Sequence, residues 1–233
     1  MEKRTLLLGV GLVATITALA CASEAVDNLG ADNVGAAGMA PMFEVDPFWP
    51  KPLPNHWILG NAVGVGVDSR DHVYIIHRGA MSLNERTEMG SGTNPPTSEC
   101  CTAAPPILEF DPEGNLINAW GGESTDEYQW PASNHGISID PNDNVWIGGN
   151  GAGDSHVLKF SRDGEFLAQF GIPEQGANSM SAEHFGRPAK ISFNMTGDEA
   201  YISDGYLNKR VAVIDANTGE VKRFWGAYGN RSE

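Results

Sequence analysis

Asn134-His135-Gly136-Ile137-Ser138-Ile139-Asp140 reads as a short alternating strand that ends in a turn residue. The chain holds two near-copies of it, Gly64-Val65-Gly66-Val67-Asp68 upstream and Ala189-Lys190-Ile191-Ser192-Phe193-Asn194 downstream. A second strand follows each copy: Val73–Ile76, Val145–Gly148 and Ala200–Ser203. A third follows that: Ile107–Asp111, Val157–Ser161 and Val211–Asp215. Each unit closes on a fourth strand ending in glycine: Ala119-Trp120-Gly121, Gln169-Phe170-Gly171 and Phe224-Trp225-Gly226. The repeat is the organising fact of the sequence.

The turns between third and fourth strands support the same reading. Asp111-Pro112-Glu113-Gly114-Asn115, Ser161-Arg162-Asp163-Gly164 and Asp215-Ala216-Asn217-Thr218-Gly219 each open on a residue that starts a turn and include a glycine for a positive φ. A four-stranded antiparallel unit repeated every 40–50 residues or so is a propeller blade. The expected fold is therefore all-β, with three blades at about 56–122, 128–176 and 181–229. The offset from Asp68 to Asp140 is 72 residues and that from Asp140 to Asn194 is 54. Most of the difference is an insertion in the first blade, Gly79 to Pro106. Because a closed ring needs about four to eight blades, the expectation is either a fragment of a larger ring or a half-ring that assembles with others.

The 233 residues carry a formal net charge of −15, with a pI of about 4.7. Such acidity argues against nucleic acid as a partner, because phosphate binding needs a basic footprint; its bland consequence is solubility. The 28 glycines and 14 prolines agree with frequent turns. Residues 1–25 read as an export signal: Lys3 and Arg4, an apolar run from Thr5 to Ala20, and small residues at Ala18-Leu19-Ala20. The run is short for a membrane span. Export to the periplasm or the exterior is the main reading. Membrane attachment would come only through a lipid on Cys21, although Ala18 stands where such sites prefer a larger aliphatic residue. Residues 26–42 form a Gly/Ala/Asn/Asp linker, too polar to fold alone, and the propeller segment is expected over 43–233. Pro47, Pro50, Pro52 and Pro54, around Phe48 and Trp49, suggest an extended aromatic segment lying on the domain.

Cys100 and Cys101 are adjacent within the insertion. They form a vicinal disulfide, remain free thiols, or pair with other chains; the spacing does not suit zinc. Three residues could carry chemistry: one at the start of an inner strand, one after the second strand of the first blade, and one in the equivalent loop of the third. His135 opens the inner strand of the second blade, as a metal ligand or a hydrogen-bonded structural histidine. Arg78, at Ile76-His77-Arg78-Gly79, either grips a carboxylate in a fork or makes a surface ion pair. Tyr206, in Ser203-Asp204-Gly205-Tyr206-Leu207-Asn208-Lys209-Arg210, is either an acid–base group or ordinary rim packing.

That last run, followed by an apolar strand, resembles the NHL repeat family. More narrowly, three segments resemble the peptidyl-α-hydroxyglycine amidating lyases: Gly64-Val65 through Ile76-His77-Arg78-Gly79, then His135–Asp140, then His184-Phe185 through Arg210. The resemblance spans about Asn55 to Gly226. It implies a six-bladed propeller, a zinc ion held by three histidines and a structural calcium. It also implies cleavage of a peptidyl-α-hydroxyglycine to a peptide amide and glyoxylate. Carried over by position, Arg78 binds or polarises the substrate, Tyr206 is the base, His135 is one zinc ligand, and the carbonyls of Val65 and Ile137 face the calcium. The partner implied is a small molecule or a peptide C-terminus. The two other zinc histidines of the family belong to later blades; His56, His72, His77, His156 and His184 do not match them. The family's animal members bridge the third blade with a disulfide, and the matching positions here are Gly186 and Leu207. Two other readings remain: a non-catalytic propeller that binds or scaffolds in the cell envelope, and a calcium-dependent hydrolase, for which the inner strands offer few acidic or amide ligands.

Overall fold

The computed structural model describes residues 42–84, 87–97 and 99–226. The expected export signal, Cys21 and residues 26–41 of the linker lie outside the described residues. The chain divides into two compact units, Met1–Asp46 and Pro47–Glu233. In the first, the described residues 42–46 hold no helix or strand. The second carries all the strands: β1 (Trp57–Ile58), β2 (Ala62–Val67), β3 (Val73–His77), β4 (Thr102–Ala103), β5 (Ile107–Phe110), β6 (Leu116–Trp120), β7 (Asn134–Ile139), β8 (Val145–Gly149), β9 (His156–Phe160), β10 (Phe166–Gly171), β11 (Ile191–Phe193), β12 (Glu199–Asp204), β13 (Arg210–Asp215) and β14 (Val221–Trp225).

Twelve of these strands form three four-stranded antiparallel sheets, β2-β3-β5-β6, β7-β8-β9-β10 and β11-β12-β13-β14. This is a partial β-propeller built from three blades. The fourth strands begin earlier than the glycine-ended motif suggests, at Leu116, Phe166 and Val221. In each of them the pairing with the third strand slips by one residue near the start, and such a bulge masks the alternation that sequence reading relies on. The turn glycines behave as expected: Gly114, Gly164 and Gly219 have φ of +81°, +89° and +78°, which a residue with a Cβ adopts only under strain.

The blades are glued by apolar layers between their faces. Tyr74, Ile76 and Ile107 of the first blade meet Ile137, Val145, Ile147, Leu158 and Phe160 of the second, with Trp130 among them. Trp146, Val157 and Phe170 of the second meet Ile191, Ile202, Ala212 and Ile214 of the third. Burying each of the larger side chains contributes about 1.5–3 kcal/mol. The remaining face of the first blade is covered by the segment that enters it. Trp49, Leu53, Trp57 and Leu59 pack on Ile75, Leu108 and Phe110, and the Trp49 and Phe110 rings lie 5.7 Å apart.

The insertion is held down at both of its ends. Strand β1 pairs in parallel with β4 inside it, a two-residue pairing that no periodicity reveals. His77 is fully buried at its entrance. Its Nδ1 accepts the N–H of Gly60 at 3.1 Å and of Gly79 at 3.0 Å, so its Nε2 carries the proton and donates to the Pro105 carbonyl at 2.8 Å. One imidazole thus joins the first residues of the insertion to the last. Further along, Cys100 and Cys101 are paired as a vicinal disulfide.

Candidate functional site

The inner strands β2, β7 and β11 run side by side and their ends form two rims. His135 sits near the start of β7, where pairing with β8 slips between Asn134 and Gly136. A bulge re-aims the side chain it carries. His135 therefore reaches across to the third blade: its Nδ1 lies 3.1 Å from the Ala189 carbonyl and its Nε2 lies 2.6 Å from the Tyr206 hydroxyl. The two rings meet edge to face at 5.1 Å. Gly136 permits the approach, because a Cβ there would fall 2.3 Å from that same Ala189 carbonyl oxygen.

The run around Tyr206 divides into a buried frame and an exposed tip. Asp204 and Asn208 are fully buried and Arg210 nearly so. Asp204 accepts the Gly186 N–H at 2.6 Å, the Asn208 amide at 2.8 Å and Arg210 Nε at 2.8 Å. Arg210 spends its other donors on the carbonyls of Ser179, Ser181 and His184. A buried charge is tolerated only when its bonds are filled in this way. The frame fixes the loop and leaves Tyr206 half-exposed at its crest.

Arg78 follows β3 at the same rim. Its Nε donates to the Asn134 carbonyl and its Nη2 to Asn150 Oδ1, both at 3.3 Å. Both acceptors are neutral, and among the described residues no carboxylate pairs with Arg78. A guanidinium has five N–H donors, so most of its capacity is uncommitted within the described chain. Three blades thus bring Arg78, His135 and Tyr206 to one rim. Asn134 is the link between them that sequence reading missed. Its backbone carbonyl accepts Arg78, its side chain bonds Trp130 Nε1 and the His77 carbonyl, and His135 is its neighbour. Its only signal in the sequence is a polar residue at the start of an inner strand.

The fit of the expected metals differs between them. His135 has part of the ring arrangement of a zinc ligand: donation from Nδ1 to a backbone carbonyl leaves Nε2 as the acceptor, but that lone pair faces the Tyr206 hydroxyl, which a metal would have to displace. The described residues place no second histidine in a donor cluster with it, so a complete zinc centre does not form from them alone. The calcium position fits poorly. The Ile137 carbonyl accepts Lys190 Nζ at 2.9 Å, which sets a fixed ammonium where a divalent ion would bind; Val65 stands on β2 with its side chain half-exposed. Partial burial lowers the Lys190 pKa below its ordinary value.

One three-donor group that could hold a metal does occur, at the opposite rim: Asp68, His72 and Glu109, with ligand atoms within 4.8 Å of one another. Arg70 already fills it. Its Nη2 contacts Asp68 Oδ2 at 2.5 Å and Glu109 Oε1 at 3.0 Å, and His72 Nδ1 lies 2.9 Å from the same Glu109 oxygen. Burial acts to raise the Asp68 carboxyl, but the Arg70 hydrogen bond and the N–H groups of Arg70 and His72 hold it, on balance, below the usual carboxylate range.

No protein-family model matches the chain. Among curated proteins it is similar to peptidyl-alpha-hydroxyglycine alpha-amidating lyase 1 of Drosophila melanogaster, 28% identical over 187 residues, covering 76% of this chain and 31% of that protein. It is also similar to the peptidylglycine alpha-amidating monooxygenase of Rattus norvegicus, 25% identical over 175 residues, covering 72% of this chain and 16% of that protein. The chain therefore spans less than a third of the length of either relative. Among solved structures, the virginiamycin B lyase of Staphylococcus aureus superposes with a TM-score of 0.45 at 16% identity, covering 74% of this chain and 43% of that one. The chain is thus a three-bladed part of a propeller that resembles, over about three quarters of its length, the peptidyl-α-hydroxyglycine amidating lyases.

Proposed function

We propose that the protein is an exported lyase of the amidating type, acting on peptides that end in α-hydroxyglycine. The observation that carries this reading is the meeting of His135, Tyr206 and an uncommitted Arg78 at one rim, drawn from three blades. Arg78 offers a forked donor set that suits the substrate's carboxylate. Tyr206 stands half in solvent; its oxygen takes the proton of the substrate hydroxyl as its own proton passes to His135 Nε2, 2.6 Å away. As the C–O bond becomes a carbonyl, the C–N bond breaks; the leaving nitrogen gains a proton and becomes the peptide amide, and glyoxylate is the other product. His135 orients Tyr206 through the 2.6 Å contact, while Ala189 fixes the imidazole ring. A zinc ion on His135 Nε2, completed by ligands from outside the described residues, would take the place of the Tyr206 contact and supply Lewis acidity toward the hydroxyl.

The test is glyoxylate release from α-hydroxyhippurate by the full chain, with and without added zinc. Release by the wild type, and its loss in Tyr206→Phe, supports the proposal. No release at any zinc concentration overturns it. That outcome would favour a second reading, a propeller that binds acids without turning them over. The specific observation on its side is that, among the described residues, no group of three metal-ligating side chains includes His135.

A further inference from the structure

We propose that the recess beside Arg78 is a binding site for the apolar side chain of the peptide residue that precedes the group held by this guanidinium. The inference rests on the reading that Arg78 grips a substrate carboxylate. The recess encloses about 320 Å³ and is lined by Arg78, by Ala80, Met81, Ala103, Ala104 and Pro106 of the insertion, and by Gly122, Trp130, Pro131, Ala132 and Asn134 of the segment leading into the second blade. Its polar groups are almost all committed. The Trp130 indole N–H donates to Asn134 Oδ1 at 2.9 Å, and Asn134 Nδ2 donates to the His77 carbonyl at 2.8 Å. The surface facing the space is a near-even mix of polar and apolar, the apolar part alkyl and aromatic, with one cation at its edge whose two hydrogen bonds are both long.

A ligand that satisfies both features has an anionic or carbonyl group within reach of an apolar side chain. A peptide acid meets that description, since its last carboxylate and the preceding side chain are separated by only one residue. The surroundings also favour a chain over a lone small acid. Ala80 and Ala103 wall this recess and a second one of about 490 Å³, whose lining continues along the insertion through Met89, Thr93, Asn94, Cys101 and Thr102. A peptide leaving the first recess meets another beyond the two alanines. The insertion of the first blade is then the part of the protein that reads its substrate, and His77, which ties Gly79 to Pro105, positions the wall.

The test measures binding without turnover, so that it is independent of the lyase chemistry. The full chain is titrated, followed by NMR or calorimetry, with N-acetylglycine, N-acetylvalylglycine, N-acetylphenylalanylglycine and the glycinamide form of the last. The valyl and phenylalanyl acids should bind about tenfold or more tighter than N-acetylglycine, the scale expected when an apolar group enters a fitted pocket. The amide should lose affinity relative to its acid. Ala132→Phe and, separately, Ala80→Phe, both at exposed positions, should erase the gain from the side chain and leave N-acetylglycine within about twofold of wild type. Equal affinity for all three acids, no binding of any, or an undiminished gain in both variants overturns the proposal. Arg78-dependent acid binding with no side-chain preference removes the pocket and leaves the lyase reading intact. A side-chain preference in a protein that releases no glyoxylate from hydroxylated peptides keeps the pocket and removes the lyase.

Discussion

At one rim of the inner strands Arg70 lies between Asp68 and Glu109, with His72 on the same carboxylate; at the other rim Arg78 lies on a carbonyl and an amide, with His135 turned toward a tyrosine. The residue types are alike and their circumstances are opposite. Asp68 and Glu109 neutralise Arg70 and tie the inner, second and third strands of one blade together. Arg78, His135 and Tyr206 come from three different blades and face only neutral partners. The first arrangement spends its charge on holding one blade. The second leaves charge and hydrogen-bonding capacity uncommitted among the described residues. A donor cluster is therefore a better functional candidate when its partners are incomplete than when its ligand-type atoms are merely close.

The sharpest way to break this contrast is to remove one hydroxyl at the open rim. Tyr206→Phe should lower glyoxylate release by about 10²–10⁴-fold, the range for a lost general base, with little change in urea unfolding because the tyrosine is half-exposed. Equal turnover in this variant would put Tyr206 among ordinary rim residues. At the closed rim the effects should exchange places. Asp68→Ala takes the acceptor from Arg70 Nε and from the N–H groups of Arg70 and His72 and should cost about 2–3 kcal/mol in urea unfolding, less than for a fully buried pair because Arg70 is partly solvated. Acid binding at the Arg78 rim should stay within about twofold of wild type, since sites so separated act independently.

The two rims should also separate by pH. Burial lowers the His77 pKa below its ordinary 6.5, against a smaller opposing contribution from the Pro105 carbonyl. A lowered imidazole pKa means that protons favour the unfolded chain, so the contribution of His77 is complete above about pH 6.5 and fades as pH falls below it. Asp68 also has a lowered pKa, so its contribution persists until pH falls below the usual carboxylate value of 3.8. Wild type and His77→Gln, compared in urea at pH 7.5 and below 6, should converge at the lower pH. A constant difference would mean that His77 is held by packing rather than by its protonation state. His156, buried and lowered for the same reason, titrates equally in both proteins and cancels.

The smallest expected effect concerns the cation already in the wall. Lys190→Met removes the ammonium from the Ile137 carbonyl and should shift unfolding by about 1 kcal/mol or less, as for exposed charged contacts. Calcium measured in the purified protein should be absent in wild type. A protein that carries stoichiometric calcium despite Lys190 would show that the ammonium is displaced.

Much of this was open to sequence reading, and the boundary is instructive. The strands of all three blades follow from alternation and turn chemistry within stretches of about ten residues, and Gly114, Gly164 and Gly219 adopt the positive φ their turns require. The Asp204–Asn208–Arg210 frame was visible only as a motif. That Asp204 and a carbonyl-capped Arg210 bury themselves as a pair beneath an exposed Tyr206 needed coordinates. The β1–β4 pairing escaped notice because two residues carry no period. Lys190 left a faint signal, a charge within an inner strand otherwise read as alternating, but its acceptor 53 residues away left none.

The sequence by itself determined the blades: each is a local unit whose hydrophobic alternation, turn residues and closing glycine lie within one repeat. It also singled out Arg78, His135 and Tyr206 as residues at strand ends. Only the tertiary structure decided that they share a rim, that His135 and Tyr206 touch across 71 residues, and that Arg78 meets no carboxylate among the described residues while Arg70 meets two. The physical reason is that contacts between blades depend on how the blades pack. That is set by the apolar layers joining Ile76 to Ile137 and Trp146 to Ile202, and no single repeat encodes those layers.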